Sequence, residues 1–261
     1  MGIIIETQIE QQCVWAEAGV LSFKLCDRDL NCEQCPLDAA LRENDTPCRD
    51  DHVDLRFMDV QLTAKDEVSE VARPLLKPFL TVPICIDMLY SARHIWVRPL
   101  ENGRVKCGLD AFGAALLPDD AQIVVVANNT VVREGEEFGW VYGGSHTIPL
   151  PAPVSGTVVC RNRNLRSSSD CVRHTPYREG AIVTLAPAAG ALAHAHLSSS
   201  RNHARRIRKR TRVVTDRVER LLGAPDIGVC LNDGGIRISS LEAFLGEDRY
   251  WHLVCKFIGG E

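Results

Sequence analysis

The stretch EEFGWVYGGSHTIPLPAPVSGTVV, residues 136–159, decides how the fold is read. Gly143 and Gly144 interrupt two β-rich runs, a pattern suited to a tight hairpin tip, and Pro153 with Gly156 permits the bend into the run that follows. The pattern continues on both sides. Residues 94–109, HIWVRPLENGRVKCGL, hold two β-rich runs joined at Glu101, Asn102 and Gly103, where Asn-Gly is a strong hairpin signal. Residues 110–117 read as a short helix, 121–128 as a buried strand, and Glu134-Gly135 as a turn. Short strands with one or two inserted helices predict a mainly β sandwich.

The 261 residues carry a net charge of -4, with 45% hydrophobic and 25% charged residues, which argues against a disordered or fibrous chain. No apolar run reaches the length of a membrane span, and the first residues show no secretory leader, so a cytoplasmic location is expected. Charge is segregated: residues 201–220 hold nine Lys and Arg against two acids, whereas residues 27–70 are rich in Asp and Glu.

Eleven cysteines are many for a chain expected in a reducing compartment, where a disulfide framework is not the default. Cys26, Cys32 and Cys35 form C-x5-C-x2-C, flanked by Cys13 and Cys48. A C-x2-C turn lets two thiolates converge on one cation, and Cys26 with either Cys13 or Cys48 completes four ligands. Pro36 is placed to start a helix directly after Cys35. These residues are the candidate metal ligands, with zinc the commoner occupant, an iron–sulfur cluster the alternative, and thiol redox chemistry a third use. Cys85, Cys107, Cys160, Cys171, Cys230 and Cys255 stand singly in apolar or strand-like surroundings and read as packing residues.

Five segments in register resemble the H protein of the glycine cleavage system, which has a lipoyl-type fold. They are HIWVR at 94–98, RVKCGLDAFGAALL at 104–117, VREGEEFGWV at 132–141, APVSGTVVCRN at 152–162 and HTPYREGAIVTLAP at 174–187. The resemblance spans about residues 93–187, a little over a third of the chain. It implies a carrier whose hairpin tip, of the form Glu-Ser-Val-Lys-Ala, bears lipoate on its lysine. Here Tyr142, Gly143, Gly144 and Ser145 take the first four places, so Ser145 stands at the lysine position. The six lysines are at 24, 65, 77, 106, 209 and 256, none of them near the tip in sequence, and lipoate is therefore not expected. Ser145 and His146 lack a recognisable third catalytic group, so the tip reads as a polar turn and the chain as a non-enzyme. Trp140 and Tyr142 read either as core or as an exposed aromatic contact surface.

The sequence divides into a Cys-rich element (1–50), a linking segment with a short helical pattern (51–92), the sandwich (93–187), a small-residue linker (188–200) and a helical extension (201–261). Prolines 74, 78 and 83 are expected to break the helical pattern of the second segment. In the extension, Ile207, Val214, Val218 and Leu221 share one helical stripe, stopped by Gly223 and Pro225. No nucleic-acid module or stacking aromatic accompanies its arginines, so the helix reads as packing on the body or docking to acidic residues rather than as a nucleic-acid binder. The fold class is thus a mainly β, lipoyl-type sandwich with α-helical N- and C-terminal extensions. The expected function is a non-lipoylated binding or regulatory module with an unidentified protein partner and a Cys metal or redox site. Two alternatives stand beside it, a lipoyl carrier and a thiol redox or iron–sulfur protein.

Overall fold

The computed structural model describes residues 11–18, 20–21, 23–42, 53–62, 68–162, 165, 169–223 and 240–259. Cys48 and Cys230 lie outside them. The N-terminal element comprises α1 (Val14–Glu17), a 3-10 turn at Cys32–Gln34, and α2 (Pro36–Arg42). Next, β1 (Phe57–Gln61) pairs antiparallel with β2 (Thr81–Cys85), separated in sequence by α3 (Arg73–Leu80). The helix forms despite its prolines. Pro74 sits in the first turn, where no amide donor is needed, and Pro78 removes one ladder bond from a helix whose Leu75, Leu76 and Phe79 are buried. Pro83 lies in β2, the strand of a two-stranded sheet, where a missing donor is tolerated.

The sandwich follows as β3 (Leu89–Tyr90), β4 (Ile95–Pro99), β5 (Val105–Leu109), α4 (Ala111–Ala114), β6 (Gln122–Val125), β7 (Val131–Val132), β8 (Glu137–Gly143), β9 (His146–Pro151), β10 (Gly156–Arg161), α5 (Asp170–His174) and β11 (Ala181–Pro187). The stretch after it carries α6 (Ala191–His194) and β12 (Ser198–Ser199), then α7 (Ser200–Leu222), α8 (Leu241–Leu245) and α9 (Glu247–Ile258). One antiparallel sheet has the order β12-β3-β4-β5-β11-β10-β7, and a second has the order β6-β8-β9. The mainly β sandwich with helical extensions expected from the sequence is present. β5 is buried at every position, Lys106 included, because it is central in its sheet.

The extensions share the core with the sandwich. Trp251 from α9 and Phe79 from α3 are among the largest fully buried side chains, together with Trp96, Tyr90, Tyr142, Phe112 and Phe138. Within the stretch read as a linker, Ser198 and Ser199 pair with Tyr90 and Leu89, adding an edge to the large sheet. Cys85 and Cys107 are buried free thiols, as packing residues should be, whereas Cys160 departs from that reading because it is disulfide-bonded.

A buried ion network pins α7. Asp110 ends β5 and caps α4, its Oδ1 accepting the Gly113 amide at 2.8 Å. Its Oδ2 accepts from His94 Nδ1 at 2.8 Å and from His203 Nε2 at 2.5 Å, and all three residues are fully buried. His203 Nδ1 faces the Arg206 guanidinium at 3.3 Å and so acts as an acceptor, which leaves the proton on Nε2 for Asp110. Arg206 and Arg210 also donate to the carbonyls of Ser91 and Ala92, each at 2.8 Å. Part of the arginine complement of α7 thus turns inward, while Ile207, Val214 and Val218 bury the predicted stripe. Of the two uses expected for the basic helix, packing of its apolar face on the body is the one present.

Burial pushes the His94 pKa down from 6.5 to about 4, against the opposing pull of Asp110. For Asp110, burial acts upward, but the two facing histidines hold the carboxyl well below the usual carboxylate range. Between pH 6.5 and about 4 the unfolded chain gains a proton at His94 that the folded chain excludes. Stability at this site therefore falls with falling pH across that window, by about 3 kcal/mol in total. Urea melts at pH 7 and pH 4.5 are expected to show this loss in the native chain. They should show a shallower slope in His94→Asn, a residue that tolerates the His94 φ of 61°. Equal slopes would remove His94 as the cause.

Candidate functional site

The opening hairpin is formed by β8 and β9, with Gly143 opposite His146 and a two-residue turn at Gly144-Ser145. Gly144 has φ 51° and Ser145 does not share the positive sign, the pattern of a type II′ turn with glycine at its first central place. Gly143 is fixed by crowding rather than by its dihedrals, because a Cβ there would lie 2.8 Å from the Trp251 ring and 3.0 Å from Pro118. The tip therefore needs glycine twice, for two different reasons.

Helix α9 packs beside this tip, whose turn residues Gly144 and Ser145 stay exposed. Glu247, in its first turn, accepts from the Ser145 hydroxyl at 2.5 Å and from the Ser145 amide at 3.3 Å. These bonds, with the nearby His146, hold the Glu247 carboxyl below its ordinary pKa. His146 stacks on Trp251 with ring centroids 5.0 Å apart and planes 11° from parallel. On the other side of the turn, the Gly144 amide donates to Asp120 at 3.4 Å. The position that would carry an arm is thus hydrogen-bonded down onto a helix.

Ser145 and His146 do meet, contrary to the expectation that alternation separates them, because Ser145 sits in the turn rather than in a strand. The Ser145 hydroxyl is 3.1 Å from His146 Nδ1, and the same nitrogen is 3.5 Å from Glu247. A proton relay needs one ring nitrogen on the nucleophile and the other on the carboxylate. Here both contacts use Nδ1, and the hydroxyl donates directly to the carboxylate, so the set is a hydrogen-bonded latch. Trp140 is 7% exposed and Tyr142 fully buried, which rules out the exposed aromatic surface and leaves the core reading.

The N-terminal element lies against the other side of the same hairpin. Thr147 of β9 donates to the Phe23 carbonyl at 2.8 Å, and Arg161 of β10 bridges the carbonyls of Ala40 and Val125 at 2.9 and 3.0 Å. Within the element, Trp15 donates to Asp38 at 2.8 Å, tying α1 to α2. Cys13, Cys26, Cys32 and Cys35 are free thiols, Cys13 buried and the others half-buried. Burial raises the Cys32 pKa, and the charges of Asp38, Cys35, Cys13 and Cys26 act in the same direction. Cys48, the other candidate fourth ligand, lies outside the described residues. Among the described residues, the set of three or more potential ligands with atoms all within 4.8 Å is His94, Asp110 and His203, and the cysteines do not form such a set. The buried trio was not singled out from the sequence. Its members are 16 and 93 residues from Asp110, and no local spacing joins them.

Trp251→Ala is expected to destabilise the chain by about 3–5 kcal/mol through loss of a buried aromatic. It should also speed hydrogen exchange at Gly143–His146, and unchanged exchange there would mean that α9 does not hold the tip.

Comparison with known proteins places this geometry in a family context. The family description "Glycine cleavage H-protein" matches residues 88–209. The glycine cleavage system H protein of Bacillus velezensis is 31% identical over 102 residues, covering 39% of this chain and 80% of that protein. The H protein of Opitutus terrae is 31% identical over 114 residues, covering 44% of this chain and 90% of its own length. The crystal structure of a glycine cleavage system H protein from Mycobacterium marinum aligns with a TM-score of 0.42 and 24% identity, covering 47% of this chain and 98% of that one.

Proposed function

The chain belongs to the glycine cleavage H-protein family, and we propose that within it this protein is a non-lipoylated docking or regulatory module rather than a carrier. The observation that carries this reading is the latched tip. A carrier lysine needs a primary amine on a flexible stem at the end of an exposed hairpin. Ser145 offers a short hydroxyl instead, and that hydroxyl is bonded to Glu247. No lysine occurs between residues 107 and 208 to replace it. The sandwich would retain a family docking shape for a protein partner, with the Ser145 hydroxyl engaged by α9 rather than bearing an arm. A cytoplasmic setting accords with the described helices, none of which is long and apolar enough to cross a membrane.

The N-terminal thiols support a second element of the reading, a metal or redox site on Cys26, Cys32 and Cys35 with Cys13 or Cys48 as fourth ligand. Zinc or an iron–sulfur cluster suits that donor set. This element stands independently of whether the hairpin carries lipoate.

The family relationship itself favours a lipoyl carrier as the rival reading. Intact-mass spectrometry after incubation with lipoate and a lipoate ligase separates the two. The native chain is expected to gain no lipoyl mass. Ser145→Lys combined with Glu247→Ala, which supplies an amine and releases the latch, is expected to gain it. A lipoyl adduct on the native chain would establish the carrier reading and overturn ours.

A further inference from the structure

The hairpin and the N-terminal thiols meet at Tyr142. This tyrosine is fully buried, and its hydroxyl has no hydrogen-bond partner. Thr147, its directly opposite cross-strand partner and so on the same face of the sheet, donates to the Phe23 carbonyl, which puts Tyr142 on the face that the cysteine element covers. A buried O–H donor with no acceptor is a rare arrangement that calls for an occupant.

The backbone of the element is arranged around sulfur. An antiparallel bridge between Gln12 and Leu25 sets the segments bearing Cys13 and Cys26 side by side. It is flanked by the Cys13 amide on the Lys24 carbonyl at 2.7 Å and the Cys26 amide on the Gln11 carbonyl at 2.6 Å. After Cys26 the chain adopts positive φ at Asp29 (48°) and Leu30 (59°), and the Leu30 amide is 3.2 Å from Cys26 Sγ. The 3-10 turn then closes with the Cys35 amide on the Cys32 carbonyl at 3.0 Å, directly before Pro36 opens α2. Three of these cysteines are the spaced set of the sequence, and the fourth is Cys13.

Building on the thiol-site reading above, we infer that Cys13, Cys26, Cys32 and Cys35 together hold a thiophilic metal centre, one of whose sulfurs accepts the Tyr142 hydroxyl. This assigns the fourth ligand to Cys13 and gives the hairpin an outer-shell contact to the metal, since donors to ligand atoms orient the ligands and tune the site. The shared chemistry is tetrathiolate coordination. A single zinc, with bonds near 2.3 Å, places its sulfurs about 3.8 Å apart and requires the turn at residues 26–35 to close further. An iron–sulfur cluster interposes its own atoms and accepts a wider ring of thiolates. The alternative ligand set, His94, Asp110 and His203, is already engaged: both Asp110 oxygens and three of the four imidazole nitrogens are in hydrogen bonds.

The test uses the full chain purified anaerobically, with metal analysis, acid-labile sulfide and an absorption spectrum. One zinc per chain, or iron and sulfide with visible absorption, is expected, and the two arms identify the occupant. Alkylation mapping of the metal-loaded native chain is expected to protect Cys13, Cys26, Cys32 and Cys35 until a chelator is added. Cys13→Ala should lose the metal and Cys48→Ala should keep it. Tyr142→Phe, with folding checked by circular dichroism, should weaken metal retention about tenfold or more. A chain that stays metal-free after reconstitution would overturn both this inference and the thiol-site reading. Metal retained in Cys13→Ala and lost in Cys48→Ala, or unaffected by Tyr142→Phe, would overturn this inference alone. Neither result bears on lipoylation of the hairpin.

Discussion

The carboxylate of Asp110 is the point on which the architecture turns. It is a fully buried charge, and one side chain ends β5, caps α4 and receives a histidine from each of two distant segments. Burying a carboxylate is costly unless several donors surround it, and here they come from the Gly113 amide, His94 and His203. The two rings are themselves packed, His203 against Tyr90 with centroids 4.2 Å apart and His94 against Phe112 at 4.6 Å. Helix α7 cannot shift along the sandwich without uncoupling a charge from its donors. The start of β4 is fixed by the same bond, which holds His94 in a backbone conformation unusual for its type.

With α7 fixed, the smaller sheet is enclosed from two directions. The cysteine element reaches the β9 side through Thr147 and the neighbouring strands through Arg161, and α9 packs beside the turn through Glu247 and Trp251. In a carrier the same hairpin must present a free end. The difference between the two roles is therefore a matter of what packs on the hairpin as much as of the residue at its tip. Ser145 uses its short hydroxyl to bond the Glu247 side chain of α9.

Much of this was legible in the sequence. The hairpin, the Asn-Gly connection at residues 102 and 103, the helix after Ser200 and the apolar stripe at Ile207, Val214 and Val218 follow from local periodicity and turn chemistry, which depend on near neighbours. In the C-terminal segment, Leu241, Leu245, Trp251, Leu253, Val254 and Phe257 are buried and Phe244 is half-buried. What could not be read is long-range. Nothing local says that His94 will meet His203, or that Glu247 will find Ser145 across 102 residues. The prolines of α3 misled for a related reason: helix-breaking is a local cost, and burial of Leu75, Leu76 and Phe79 outweighs it. The thiols are an intermediate case: spacing groups Cys26, Cys32 and Cys35 and leaves Cys13 and Cys48 open, and the bridge between Gln12 and Leu25 sets the segment of Cys13 beside that of Cys26.

The contacts of α9 extend beyond the tip. Phe257 stands edge-on to Phe112 at 5.6 Å and to His94 at 6.3 Å, Tyr250 donates to the Leu116 carbonyl at 2.5 Å, and Arg93 donates to the Lys256 carbonyl at 3.2 Å. A fragment cut to the family boundary at residue 209 would leave Phe112 and Ile148 bare and sever α7 within its buried stripe. In this chain the region shared with relatives thus buries part of its apolar surface against segments that lie outside it.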